Sequence, residues 1–317
     1  MNSFIRKAAL VLALALAFTS CLSACFAEQS LADAIGGRNK IALFVPLTGE
    51  QKQYGEAISN GLKMQVEEFN KANGTNIAVD VYDDKGDSTE AANIAYKIIS
   101  DGSVFCAMGS YSSSCVLAAA PIFQESGLLF LSPGASHPDV PKVGDHIFTY
   151  GINIVKEMEA TMRELSARFE NAPLAIIYQA TDHGVKTLET TQTFYPSLGG
   201  TVVAAETFVP DTTTDFKSII SKVKEAGAEI VFLSTTYADG AQIILQAADL
   251  DTNFRWVGNS QLMQEEFMNL VGNLGEGLFA SSNMPVYLKS TLDNEGARAS
   301  LGEEQIEFIG RYIEFCG

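Results

Sequence analysis

The strongest constraint on this chain is a rhythm. Short apolar runs of strand length alternate with longer segments of helical period, and the alternation runs through the chain twice. Ile41–Val45, Ile77–Tyr82, Val104–Met108 and Leu128–Leu131 read as buried strands, because each is a brief apolar stretch bounded by turn residues. Between them, Ile58, Leu62, Val66 and Phe69 form one stripe of a helix over 54–69. Ile94, Ala95, Ile98 and Ile99 form another, with Asp87 placed to cap it and Glu90 three residues on. A third helix is expected over 113–125. The rhythm restarts after Tyr150-Gly151. A helix is expected over 156–169. Strands are expected at 174–178, 202–208, 230–233, 255–257 and 278–280, and helices near 184–196, 214–226, 239–249 and 264–270. Strands separated by helices make right-handed parallel βαβ units. Two such series imply an α/β protein of two doubly wound parallel-sheet lobes. No Pro/Gly/Ser-rich linker lies near Tyr150, so a tight hinge is expected there.

The N-terminus carries a different message. Arg6 and Lys7 precede an apolar run from Ala8 to Phe18. That run is shorter than the roughly 20 residues a membrane-spanning helix needs, and a basic start with a short apolar core reads as an export signal. Leu22-Ser23-Ala24-Cys25 then resembles the bacterial lipobox, with Cys25 as the lipidated residue. The expected division is a lipoprotein signal peptide over 1–24, a tether over 25–39, a first lobe of 40–150 plus 281–317, and a second lobe of 151–280. Acyl chains on Cys25 hold a body at a membrane surface without spanning it. The expected location is outside the cytoplasm, in the periplasm or on the outer face of the cytoplasmic membrane.

Charge narrows the partners. Without residues 1–24 there are 19 basic and 38 acidic side chains. Nucleic acid and anionic lipid both need cationic surface, so neither is an expected partner. Cys106, Cys115 and Cys316 are an odd set, which rules out a complete disulfide framework. A buried thiol is the default for Cys106, with a Cys106–Cys115 bridge left open.

Function belongs in the loops beyond the carboxyl ends of parallel strands. Those loops read Pro46-Leu47-Thr48-Gly49-Glu50, Gly109-Ser110-Tyr111-Ser112-Ser113-Ser114 and Ser132-Pro133-Gly134-Ala135-Ser136. Glycine lets a ligand approach the backbone, and hydroxyls donate hydrogen bonds. Ser113 opens a helix, where free N–H groups and the dipole favour an anion such as a carboxylate. Ser112–Ser114 serving only as a helix cap is the competing reading. The sequence has no H-E-x-x-H pair, G-x-S-x-G elbow, Walker A loop or G-x-G-x-x-G turn. No catalytic residue, cofactor or metal ligand is expected, and Asp83-Asp84 reads as a solvated turn. A hydrolase would need Ser113 as nucleophile with His137 as base.

The segments IALFVPLTGEQKQYGEAISNGLKMQVEEFN, VDVYDDKGD, MGSYSSS and GLLFLSPGAS, followed by IIYQATDHG, IVFLSTTYADGAQIILQA and WVGNS, resemble the leucine/isoleucine/valine-binding type of bacterial solute-binding protein. The resemblance runs from about Lys40 to Ala280. It implies a two-lobe clamp of type I topology that hands a small amino acid or related acid to the membrane permease of an ABC importer. It implies that Ser113, Gly134, Ala135 and Ser136 hold a carboxylate, with Tyr54 and Tyr111 beside the solute. From the other lobe it implies His183, at a position usually aromatic, with Thr236, Tyr237 and Ser260. Branched-chain binders carry an acid just after the strand near Val257, to pair with an ammonium. Here Val257-Gly258-Asn259-Ser260 has none, which leaves Asp182 or Asp239 as substitutes or a solute without an α-amino group. The family also runs on with more elements. The helix over 303–315, with Ile306, Phe308, Ile309, Tyr312, Ile313 and Phe315, is therefore expected to be poorly covered, as in a chain truncated at its C-terminus.

Overall fold

The structure, a computed structural model, describes residues 35–210, 212–281 and 302–316. The expected signal peptide, Cys25 and most of the expected tether lie outside the described residues.

Two five-stranded sheets, both wholly parallel, form the frame. The first holds β1 (Lys40–Val45), β2 (Ala78–Asp83), β3 (Val104–Gly109), β4 (Leu129–Ser132) and β5 (Ile147–Thr149). Its spatial order is β2-β1-β3-β4-β5. The second holds β6 (Leu174–Gln179), β7 (Val202–Phe208), β8 (Ile230–Ser234), β9 (Arg255–Gly258) and β10 (Phe279–Ala280), in the order β10-β9-β8-β6-β7. Counted within each series, both orders are 2-1-3-4-5. The chain has built one doubly wound topology twice, and each copy reverses direction beside its own first strand.

Every strand named from sequence is present. The added strand is β5, a three-residue edge pair whose apolar run is too short to register as a period. The helices are α1 (Lys52–Asn73), α2 (Ser88–Ser100), α3 (Ser113–Ser126), α4 (Ile154–Arg168), α5 (Asp182–Ser197), α6 (Lys217–Glu225), α7 (Tyr237–Ala248), α8 (Glu265–Val271) and α9 (Glu303–Cys316). Their starts follow local chemistry. Asp87, Asn153, Thr181 and Thr236 each accept a hydrogen bond from a backbone N–H in the first turn of α2, α4, α5 and α7. Such a bond contributes about 1 kcal/mol.

The core is layered. Ala42, Phe44, Ala107 and Phe130 of the first sheet meet Ala95, Ile98, Val116 and Phe123 of α2 and α3. Ala175, Ile177, Val231 and Leu233 face α6, α7 and α8. Leu174, Ile176, Ile230 and Phe232 face α4 and α5. Cys106 and Cys115 are both buried and both free, so no bridge joins them. The helix α9 lies on α1. Its Arg311 reaches Glu68 at 2.6 Å and Ile309 is buried, contrary to the expected bareness. Ile313 is half-buried, while Phe308 and Phe315 stay exposed.

Two glycines let a helix start close against the strand end before it. A Cβ on Gly55 would stand 1.8 Å from the Pro46 carbonyl oxygen, and one on Gly184 2.0 Å from that of Gln179. Gly55→Ala or Gly184→Ala should cost about 2–4 kcal/mol in chemical denaturation, because backbone has to move. Gly61→Ala, which meets nothing within 4 Å, should instead stabilise by up to about 1 kcal/mol.

Candidate functional site

A doubly wound sheet opens a crevice where its strand order reverses. In the first lobe that point lies between β1 and β3, and in the second between β6 and β8. The loops that diverge there carry Glu50, Gln53 and Tyr54 after β1, and Ser110, Tyr111 and Ser113 after β3. The neighbouring loop after β4 carries Gly134, Ala135 and Ser136. The facing loops carry Thr181 and His183 after β6, Thr236 and Tyr237 after β8, and Ser260, Gln261 and Gln264 after β9.

These two edges meet. The Ser136 hydroxyl lies 3.2 Å from His183 Nδ1. The Thr236 hydroxyl donates to Glu50 Oε2 at 3.0 Å. The Asp182 backbone N–H donates to the Ser114 hydroxyl at 3.3 Å. The Ile154 N–H donates to the Ser136 carbonyl at 3.0 Å, which ties the hinge to the same loop. Burial pushes the His183 imidazole down to about 4, so it is neutral at ordinary pH and free to share one hydrogen with Ser136.

The first-lobe wall is aromatic. Tyr54 and Tyr111 stack with ring centroids 4.3 Å apart and planes within 6°. Gly134 lies directly behind, since a Cβ there would sit 2.9 Å from Tyr111 Cα. Ala135 is fully buried and its N–H donates to the Ser132 hydroxyl. Ser113 is only 5% exposed and begins α3. Its neighbour Ser112 occupies the cap position without making a side-chain cap bond, so the cap-only reading of this serine run fails.

Ser260 is present at the β9 loop as expected, half-buried at the start of a short 3-10 turn. No side-chain hydrogen bond ties it to the other candidates among the described residues. Gln261 and Gln264 of the same loop come closer: Gln261 lies beside the Tyr111 phenol, and Gln264 and Gln53 beside that of Tyr54. None of these amides stood out in the sequence. A glutamine in a polar loop has no period or motif to mark it. The strand ends do mark the loops themselves.

Other readings are corrected. Asp83-Asp84 is no solvated turn. Asp83 accepts from the Leu47 and Lys85 N–H groups and the Thr48 hydroxyl, bracing the β1 loop. Asp84 is wholly buried, and burial raises its carboxyl to about 6. Asp239 is buried and bonded to Gln179 Nε2 at 2.8 Å, inside the second lobe. Asp182 is exposed. His137 accepts from the Asp139 N–H rather than meeting Ser113, which removes the hydrolase pairing. Among the described residues, no group of three or more His, Cys, Asp or Glu can hold a metal. Two cavities among the described residues lie elsewhere. One, of about 520 Å³, runs along α4 and the β9–β10 edge; the other, of about 370 Å³, lies beside β2 and α2.

Residues 39–303 match the family model described as periplasmic binding protein. The chain belongs to that family. Family membership puts it among periplasmic binding proteins, which act outside the cytoplasm and are not enzymes. It is 28% identical over 270 residues to the leucine-, isoleucine-, valine-, threonine- and alanine-binding protein of Pseudomonas aeruginosa, covering 83% of this chain and 70% of that one. It is 27% identical to Leu/Ile/Val-binding protein homolog 1 of Brucella suis, covering 75% and 64%. The chain thus spans about two thirds of the length of these curated relatives. Two solved structures share the fold. One is the branched-chain amino acid binding protein LivJ of Streptococcus pneumoniae in complex with isoleucine, with TM-score 0.73, 22% identity, and coverage of 87% and 76%. The other is a solute-binding protein of R. palustris in complex with 4-hydroxybenzoate, with TM-score 0.77, 16% identity, and coverage of 88% and 74%.

The buried Asp84 gives a pH test. Its carboxyl binds a proton more tightly in the folded chain than in the unfolded one. Stability should therefore fall as pH rises from about 4 to about 6, and level off above. Other groups titrate too, so the contribution is read as a difference. Asp84→Asn, which can still accept from the Gly86 N–H, should gain on the wild type by about 2–3 kcal/mol between pH 4 and 7 in paired denaturation curves.

Proposed function

We propose that this protein is the solute-binding subunit of an ABC importer, lipid-anchored through Cys25 and exported by residues 1–24. Its lobes, 40–150 with 281–317 and 151–280, close on a small amino-acid-like acid. The observation that carries the reading is the junction itself. Ser113, buried at the start of α3, stands two residues from Tyr111, and Tyr111 packs on Gly134 of the loop that sends Ser136 across to His183.

In this reading the solute's carboxylate lies at the α3 N-terminus. It accepts from Ser113, from Ser136 and from backbone N–H groups around Gly134 and Ala135. Tyr54 and Tyr111 wall the rest of the molecule. His183, Thr236, Tyr237 and Ser260 complete the site from the second lobe. Bonds such as Thr236–Glu50 form only when the lobes meet, so binding energy shifts an open–closed equilibrium about the crossings near Tyr150 and Ser281. The permease then reads the closed form.

The names of the relatives support branched-chain amino acids as first candidates. One observation favours a second reading, a small acid or amide without an α-ammonium. Asn259 spends its side chain on the turn, accepting from Gln261 N–H and donating to the Thr235 carbonyl. Asp239 is turned into its own lobe. A buried ammonium loses much of its compensation without a carboxylate. The same clamp acting as a ligand sensor through a membrane partner is distinguished by uptake: only the importer reading ties solute entry to this gene.

Thermal melts against a panel of amino acids and small aliphatic and aromatic acids test the reading. A ligand at a hundred times its Kd should stabilise the protein by about 2.7 kcal/mol. Ser113→Ala should weaken that ligand about 10–100-fold in calorimetry, the loss of a hydrogen bond to a charged group. No shift with any compound would count against the function, and a full-affinity Ser113→Ala against the carboxylate placement.

A further inference from the structure

At the junction of the lobes, three buried polar atoms have no hydrogen-bond partner. They are Gln53 Nε2, the Tyr54 phenol oxygen and Gln261 Oε1. Gln53 and Tyr54 come from the first turn of α1, and Gln261 from the turn after β9 in the opposite lobe. They gather around the Tyr54–Tyr111 stack: Gln53 approaches the Tyr54 phenol and Gln261 the Tyr111 phenol, but neither pair reaches the geometry of a full hydrogen bond. Leaving such a group buried and unpaired is unfavourable, because its desolvation is not compensated. Three at one place are tolerated in a native protein when something else satisfies them.

Their chemistry is specific. Gln53 Nε2 donates, Gln261 Oε1 accepts, and a phenol does either. None is ionised at neutral pH, because burial raises both phenols far above their ordinary range. A charged group would find no opposite charge in this set, and an aliphatic group would leave all three atoms orphaned. The matching ligand group is neutral and both donates and accepts.

We propose that the solute carries a hydroxyl or carboxamide at the end away from its carboxylate, and that Gln53, Tyr54 and Gln261 bind that group from both lobes. This rests on the solute-binding reading above. It makes the polar end the contact that rewards closure, because Gln261 meets the group only when the second lobe arrives. It also separates this protein's solute from the purely aliphatic side chains of leucine, isoleucine and valine.

The test uses pairs matched in shape: asparagine against leucine, and 4-hydroxybenzoate against 4-methylbenzoate. Titration calorimetry on the purified protein should show the polar member of at least one pair binding about tenfold or more tighter, since a site built around polar groups rejects an apolar isostere. Gln261→Met keeps length and removes the acceptor. It should cut that preference to below about threefold, while the ligand-free melting temperature stays level or rises, because an unsatisfied buried group has been removed. A merely structural Gln261 would lower the melting temperature and leave the preference intact. Leucine or 4-methylbenzoate binding as tightly as its partner, or an unchanged preference in Gln261→Met, would overturn the proposed solute class while leaving the binding function standing. Silence from all four compounds and from the wider panel would overturn the binding function, and this inference with it.

Discussion

The cross-lobe hydrogen bonds organise everything else in this molecule. Ser136 to His183, Glu50 to Thr236 and Ser114 to the Asp182 N–H each join a loop of one sheet to a loop of the other. They form where they do because both sheets have the same strand order, so both present their reversal points at their carboxyl ends. The bonds are few, and each is worth on the order of 1 kcal/mol net. Contacts so few can be undone at little cost. The neutral state of His183 belongs to the same logic. A charged imidazole at the junction would carry a desolvation cost into every closing event.

The fold was legible in the sequence because burial writes periods. Leu174–Ile177 and Ile230–Leu233 are apolar throughout, as strand segments covered on both faces must be. The helix stripes were equally plain: Ile94, Ala95 and Ile98 are buried as their spacing requires. The site was legible only in part. Ser113, Gly134 and Ser136 lie at strand ends in small-residue loops, so topology and composition pointed at them together. Gln53, Gln261 and Gln264 of the candidate site escaped, because a polar side chain in the first turn of a helix or in a polar loop differs from its neighbours only through what it faces. The burial of Asp84 is hidden in the sequence for a related reason. Two adjacent acids after a strand look solvated, yet the pleat sends one outward to brace the β1 loop and the other under the Ser110 loop.

The unsatisfied groups are not scattered. Among the described residues, the buried side-chain atoms without partners belong to Gln51, Gln53, Tyr54, Asp84, Ser110, Ser234 and Gln261. Every one lies at a strand's carboxyl end, in the loop that follows it or in the first turn of the next helix. The layers between helices and sheets, where Phe44, Phe123, Phe130 and Phe232 pack, show none. Stability has been concentrated in the apolar layers, while the loop edge keeps polar groups waiting for partners. That division is what a binding protein needs, since a loop edge satisfied by its own residues would leave a solute nothing to complete.

The same division explains the glycines and the buried acid together. Gly55 and Gly184 bring α1 and α5 hard against the strand ends before them, which fixes Tyr54 and His183 relative to their sheets. Asp84 sits below the Ser110 loop, with one carboxyl oxygen on the Gly86 N–H and the other unpaired. A buried carboxyl that holds its proton to about pH 6 is a costly foundation for a loop at neutral pH. Regions of low local stability are where proteins move and bind. That cost lies beneath Ser110, Tyr111 and Ser113, in the loop after β3, rather than near Tyr150 where the chain passes from one sheet to the other.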